Sequence, residues 1–175
     1  MARVGLGRTL KFCSQLSTNI LPMPQLSKEK EFLRPKEFQI ARKRLLKMHF
    51  ESGVGHIGGN LSALDTLLIV FHEYIGENDK FILSKGHSAG ALYIALWSAG
   101  RLEEQHLELF HKDDTLLAGH PPAEGIPDIP FATGSLGHGL SLAAGTALAF
   151  KLKGTPERVF CMTVGAEVKL SHRAA

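Results

Sequence analysis

The sequence predicts an α/β fold with parallel strands set between helices, and three observations carry that expectation. Two short apolar runs, inside "DKFILS" (79–84) and over "VFCMTV" (159–164), read as buried strands. Segments of helical period precede the first run and fill much of the chain between the two. Glycine-rich stretches open the helices that follow them, which is where α/β proteins place ligands. A parallel sheet needs more than two strands and cover on both faces. The fold is therefore expected to be incomplete at the carboxy terminus, and marginal or partly open when isolated.

Taken in order, residues 1–30 form an amino-terminal extension, expected to be poorly ordered, and residues 31–175 the incomplete domain. The first 28 residues hold Arg3, Arg8, Lys11 and Lys28 with several Ser and Thr, and no acid precedes Glu29. That is the flavour of an organelle transit peptide, although a plain extension is the commoner case. "LPMPQLS" (21–27), with its two prolines, reads as a linker. "PKEFQIARKRLLKMHFES" (35–52) spaces Phe38, Ala41, Leu45 and Met48 three and four apart, with Pro35 as a first-turn residue and Gly53 past the end. "GVGHIGGN" (53–60) has four glycines in eight residues and is expected to be a loop. "LSALDTLLIVFHEYI" (61–75) follows as a buried helix with Ser62 as a plausible cap. After the strand at 80–83 comes the helix "SAGALYIALWSAG", closed by Gly100. A Pro- and Gly-rich loop with His120 leads to "FATGSLGHGLSLAAGTALAFKL" (131–152), a glycine loop and a helix of small residues suited to close packing.

Composition narrows the function classes. The net charge of +3 is mild, and "RKRLLK" (42–47) sits on an amphipathic segment, so no nucleic-acid partner is expected. No apolar run reaches the roughly 18 residues a membrane helix needs, so no membrane partner is expected either. Cys13 and Cys161 cannot make a disulfide framework, and Cys161 reads as a buried thiol in a reducing compartment. The expected location is the cytoplasm, with organelle targeting by residues 1–28 as the alternative.

Two junctions point to an anionic ligand. At "SKGHS" (84–88) a glycine turn leads from strand to helix, and the first N–H groups of a helix carry the positive end of its dipole. Lys85, His87 and Ser88 surround that end, and a phosphate or diphosphate would suit it; a solvent-facing turn would look much the same. The second junction orders its glycines G-x-x-G-x-G at Gly134, Gly137 and Gly139, which is not the dinucleotide fingerprint. Of the nine histidines, His56, His87, His120 and His138 each neighbour a glycine in a loop. None of these pairs has the short spacing of a zinc module, so no metal ligand is assigned. Imidazoles converging on one pocket suit hydrogen bonding to hydroxyls and proton movement near neutral pH. His49, His72, His106, His111 and His172 read as structural or solvated.

The stretches "SGVGHIGGNLSALD", "DKFILSKGHSAGALYIAL", "LAGHPP" and "ATGSLGHGLSLAAGTALA", in that order, resemble the amino-terminal, diphosphate-binding part of transketolase, above all the separate amino-terminal subunit of split transketolases. The likeness runs from about Pro35 to Glu167. It implies a thiamine diphosphate-binding fold and transfer of a two-carbon ketol unit from a ketose phosphate to an aldose phosphate. It also implies thiamine diphosphate with magnesium or calcium as cofactor and, as partner, a pyrimidine-binding domain or subunit. Intact members are expected to dimerise and to act on sugar phosphates. By position, His56 resembles the histidine that meets the donor's first hydroxyl. Lys85 and His87 match residues at the cofactor diphosphate, His87 also lying near the reacting hydroxyl. His120 matches a histidine facing the donor. Gly134, Ser135 and Leu136 match the loop that lies along the cofactor, and His138 stands where the family usually carries glutamine.

The likeness breaks at about residue 162. In the family the strand runs into Gly-Asp-Gly-Glu, whose Asp binds the divalent ion; here Val164, Gly165 and Ala166 stand at Gly, Asp and Gly, and the later Asn is absent. So abrupt a change predicts a disrupted reading frame, an alternative exon or a broken gene model rather than gradual drift. A diphosphate carries about three negative charges, more than Lys85, His87 and one helix end can offset as a cation would. The cofactor is thus expected to bind this chain weakly or not at all, and the chain alone to be inactive. The alternative function is a non-catalytic fragment or regulatory homologue lacking the metal-binding Asp.

Overall fold

A computed structural model describes residues 34–164. The expectations for the extension, the 21–27 linker, Cys13, His172 and the segment from Gly165 onward lie outside the described residues.

Helix α1 spans Pro35–Ser52. Pro35 occupies its first turn, where the missing N–H costs nothing, and the Glu37 carboxylate accepts the Arg34 N–H at 2.7 Å. Gly53 ends it with a left-handed φ of 65°. Ala41, Leu45 and Met48 face the core as their spacing requires. Helix α2 spans Ile57–Ile69 and runs into a π-helical turn at Val70–Tyr74. It begins inside the stretch expected to be loop, because His56 turns the chain at φ 63° and the glycine pair then continues helically. Ser62 is therefore no cap: it lies in the second turn, and its hydroxyl donates back to Gly59 O at 2.9 Å.

Strand β1 (Lys80–Leu83) leads through a 3-10 turn at Gly86–Ser88 into helix α3 (Ala89–Ser98). Every residue of α3 from Ala89 to Leu96 is buried, which is what a helix apolar on all sides demands. Helices α1 and α2 pack on it, and so does the short helix α4 (Glu104–Glu108). A long loop then reaches helix α5 (His138–Lys153), and strand β2 (Val159–Met162) follows. β2 pairs with β1 in parallel, Lys80 opposite Val159 and Leu83 opposite Met162. The parallel α/β expectation is met.

Phe81 and Leu83 join the core formed with α1–α3, and Phe160 and Met162 pack against it from β2. Helix α5 packs on both strands. Its small residues permit close approach at one point: a Cβ on Gly139 would lie 2.5 Å from Ser84 Cα. Elsewhere the expectation of packing on several sides is not met, since only Gly139 and Ala143 of α5 are buried. β2 is likewise half-buried rather than buried, and Cys161 with it. Among the described residues the sheet has two strands, so β2 has one strand neighbour.

Candidate functional site

The site lies just past the carboxyl end of β1, where three glycine-rich segments meet. His56 forms the bend before α2 and His87 the middle of the 3-10 turn before α3. Their rings come together with centroids 5.4 Å apart at 49°. Gly59 makes room: a Cβ there would stand 3.3 Å from His87 Cδ2. Gly86 touches the second junction backbone to backbone, since its Cβ would fall 2.7 Å from the Thr133 carbonyl and 2.8 Å from Gly134 N. Thr133 is buried there, donating its hydroxyl to Leu83 O at 2.6 Å. His120 leans on the same loop, its Cδ2 3.1 Å from where a Gly134 Cβ would be. Ser135 and Leu136 follow, exposed, and His138 opens α5.

Lys85 and the start of α3 differ from a simple anion cradle. Lys85 is 6% exposed, and its ammonium donates to Gly59 O at 3.1 Å and Ser62 Oγ at 3.3 Å. The N–H groups of Ser88, Ala89 and Ala91 already bond to Lys85 O, Gly86 O and Asn60 Oδ1. Capping from within thus uses up donors that a free helix end would offer.

Two buried residues that the sequence reading did not single out fasten this backbone. Asn60 bonds to both the His56 and His87 carbonyls. Tyr93, fully buried in α3, donates its hydroxyl to Ala118 O at 2.9 Å and His120 O at 3.2 Å. Burial holds its phenol above the ordinary range. The available signals were slight: one amide after a glycine pair, and one hydroxyl in the aliphatic run "ALYIAL".

The remaining histidines sort by burial. His49 is packed between α1 and α3, its ring 5.4 Å from Phe110, and desolvation lowers its pKa despite a bond to Leu45 O. His72 is half-buried beside Ser98 Oγ at 2.9 Å, and desolvation lowers its pKa too. His106 and His111 lie on α4 and the loop after it.

The described residues fit one flank of a diphosphate cofactor: paired imidazoles, an exposed glycine loop and a third imidazole against it. They do not supply a cation site, since no group of three or more His, Cys, Asp or Glu is placed to hold one among the described residues. Among the same residues no helix is long and apolar enough to cross a membrane.

Residues 44–157 match the family described as transketolase, thiamine diphosphate binding domain. The chain is 36% identical over 120 residues to an apulose-4-phosphate transketolase subunit of Phocaeicola vulgatus, covering 63% of this chain and 42% of that one. Against the 6-deoxy-6-sulfo-D-fructose transketolase subunit SqwG of a Clostridium species it is 33% identical, covering 69% and 47%. The transketolase of Mus musculus is 37% identical over 128 residues, which is 67% of this chain and 20% of that one. The chain thus spans about half the length of the subunit relatives and a fifth of the full-length one. The solved structure of transketolase from Leishmania mexicana shares the fold, with a TM-score of 0.68 over 79% of this chain and 24% of that one, at 22% identity. With fold and family match in agreement, this chain belongs to the transketolase family through its thiamine diphosphate-binding domain.

Proposed function

We propose that this chain is the diphosphate-binding half of a transketolase-type enzyme. It would work beside a pyrimidine-binding domain or subunit to move a two-carbon ketol unit from a ketose phosphate to an aldose phosphate. The observation that carries the reading is the joining of His56 and His87, rings 5.4 Å apart, at the carboxyl end of β1. Relatives whose names make them one subunit of a transketolase support the need for a partner.

Bound thiamine diphosphate supplies a nucleophilic carbon able to break and make a bond beside a carbonyl. On this reading the chain's own residues orient the substrate and move protons. His56 would meet the donor's first hydroxyl, and His87 would serve the diphosphate and the reacting hydroxyl; imidazoles can pass a proton near neutral pH. His120 faces the donor from the opposite loop. Gly134, Ser135 and Leu136 lie along the cofactor by their backbone. Lys85 shapes the diphosphate side through its bonds to Gly59 and Ser62. A magnesium or calcium ion would accompany the diphosphate in an intact family member; no residue of this chain is assigned as its ligand.

A second reading is a family member without catalysis, favoured by Gly165, which stands where the family's metal-binding Asp belongs and has no side chain to ligate an ion. One assay separates the two. The full chain is mixed with thiamine diphosphate, magnesium and the pyrimidine-binding subunit of a split transketolase, and ketol transfer is followed with coupled enzymes. Turnover that falls on replacing His56 or His87 by alanine supports the enzyme reading; its absence at saturating cofactor and partner favours the second.

A further inference from the structure

We propose that Asn60 is the positioning residue that locks His56 and His87 into one pair, a proposal that rests on reading those two rings as part of the ketol-transfer site. Asn60 sits in the first turn of α2 and is 1% exposed. Its side-chain nitrogen donates to His56 O at 3.0 Å and to His87 O at 3.2 Å, and its side-chain oxygen accepts the Ala91 N–H at 2.8 Å. A single amide thus spends both its donors on the two histidines and its acceptor on the helix that follows the second.

Both histidines stand in short backbone bends. His56 has φ 63°, a left-handed conformation that residues with a Cβ adopt uncommonly. Its carbonyl takes two donors from the same residue, the Asn60 side chain and the Asn60 N–H at 3.1 Å. His87 stands in the middle of a three-residue 3-10 turn, whose hydrogen-bond geometry is poorer than that of an α-helix. The amide reaches α3 because position 90 is a glycine: a Cβ there would lie 3.1 Å from Asn60 Oδ1 and 2.5 Å from His49 Cε1. Lys85 fastens the same turn of α2 through Gly59 O, leaving little freedom for the two backbones to separate.

The test is histidine-labelled NMR on the full chain. In the wild type the His56 and His87 rings should give a mutual cross-relaxation peak. Asn60→Asp keeps an acceptor for Ala91 but turns an oxygen toward both histidine carbonyls, so the peak should be lost while backbone amide dispersion stays native. Thr146→Ala, which removes a hydroxyl bonded to Leu142 O on α5, should leave it intact. A folded Asn60→Asp chain that retains the peak overturns the proposal. If that variant does not fold, the wild type decides alone: the Asn60 side-chain amide protons should exchange at least about tenfold more slowly than those of the exposed Asn78, and equal rates overturn the proposal. Adding thiamine diphosphate with magnesium, in the presence of a split-transketolase pyrimidine-binding subunit, tests the functional reading separately. If both rings stay unmoved by the cofactor, that reading fails and the brace stands.

Discussion

His49 and His56 are close in sequence and opposite in use. His56 is exposed at a bend, whereas His49 is 5% exposed and held neutral by burial between α1 and α3. The unfolded chain protonates His49 and His72 near their ordinary pKa of 6.5, while the folded chain resists. Below that pH the unfolded state binds more protons, so the stability gained by keeping the rings neutral is whole above pH 6.5 and drains as pH falls through the lower folded values. Urea midpoints should therefore be lower at pH 5.5 than at pH 7.5, and His49→Gln should shrink the difference; equal midpoints in the wild type would sink this. The lowered Asp79 carboxyl acts the same way only well below this window, near its ordinary 3.8. Tyr93→Phe tests the other anchor. It keeps the core volume and removes one hydroxyl bonded to Ala118 O and His120 O, at a cost of about 1 kcal/mol. In hydrogen exchange the loop around His120 should loosen while α1 and α2 do not change.

At the scale of elements, a side-chain clamp reinforces the start of the β1–β2 ladder. Asp79 accepts from the Arg158 backbone N–H at 2.7 Å and from its guanidinium at 2.7 and 3.1 Å, and Arg158 also donates to Tyr74 O and stacks over Phe160. Burial pushes the Asp79 carboxyl up, and the bonds from Arg158 and Gly76 outweigh it, so its pKa ends lowered. Arg158→Ala should cost about 2 kcal/mol and speed exchange of the amides from Val159 to Met162 more than those of α3. How far such elements could be foreseen depends on what their signal is made of. Helix α1 was legible because Ala41, Leu45 and Met48 repeat at helical spacing and Gly53 marks the end. The start of α2 was not, because a glycine pair normally breaks a helix, and only the nearby His87 ring and Ser88 hydroxyl show why Gly59 is empty. Helix α4 has five residues, too few for a period to show. The glycine junctions were readable as close approaches, but what approaches is the protein's own backbone, Gly86 on Thr133 and Gly139 on Ser84. The paired histidines were nameable from likeness. Asn60 was not, since a brace is defined by what it touches and not by its spacing.

Among the described residues, the helical core is closed and the sheet side is open. Leu148 and Leu152 on α5 are 55% and 79% exposed, and β2 is half-buried. Residues left uncovered in this way exchange and open most readily. Purified alone, the chain should bind thiamine diphosphate with magnesium weakly, because the described residues offer imidazoles and few vacant N–H groups against about three negative charges. Calorimetry showing tight, magnesium-dependent binding would refute this. The purified chain should also show no ketol transfer alone, since the family likeness implies that the carboxylate activating the cofactor's pyrimidine comes from a different domain or subunit; turnover by the purified chain without a partner would overturn that expectation.

The pairing of β1 with β2 also has a consequence in time. Lys80 meets Val159 across the ladder, and the clamp beneath it joins residues 79 apart in sequence. At about 5–20 residues per second of synthesis, β1 leaves the ribosome roughly 4–16 seconds before its partner exists. During that interval the apolar edge of Phe81, Ile82 and Leu83 is open to any other nascent chain. Slower growth at low temperature, or a chaperone that shields short apolar strands, acts on this interval rather than on the finished fold.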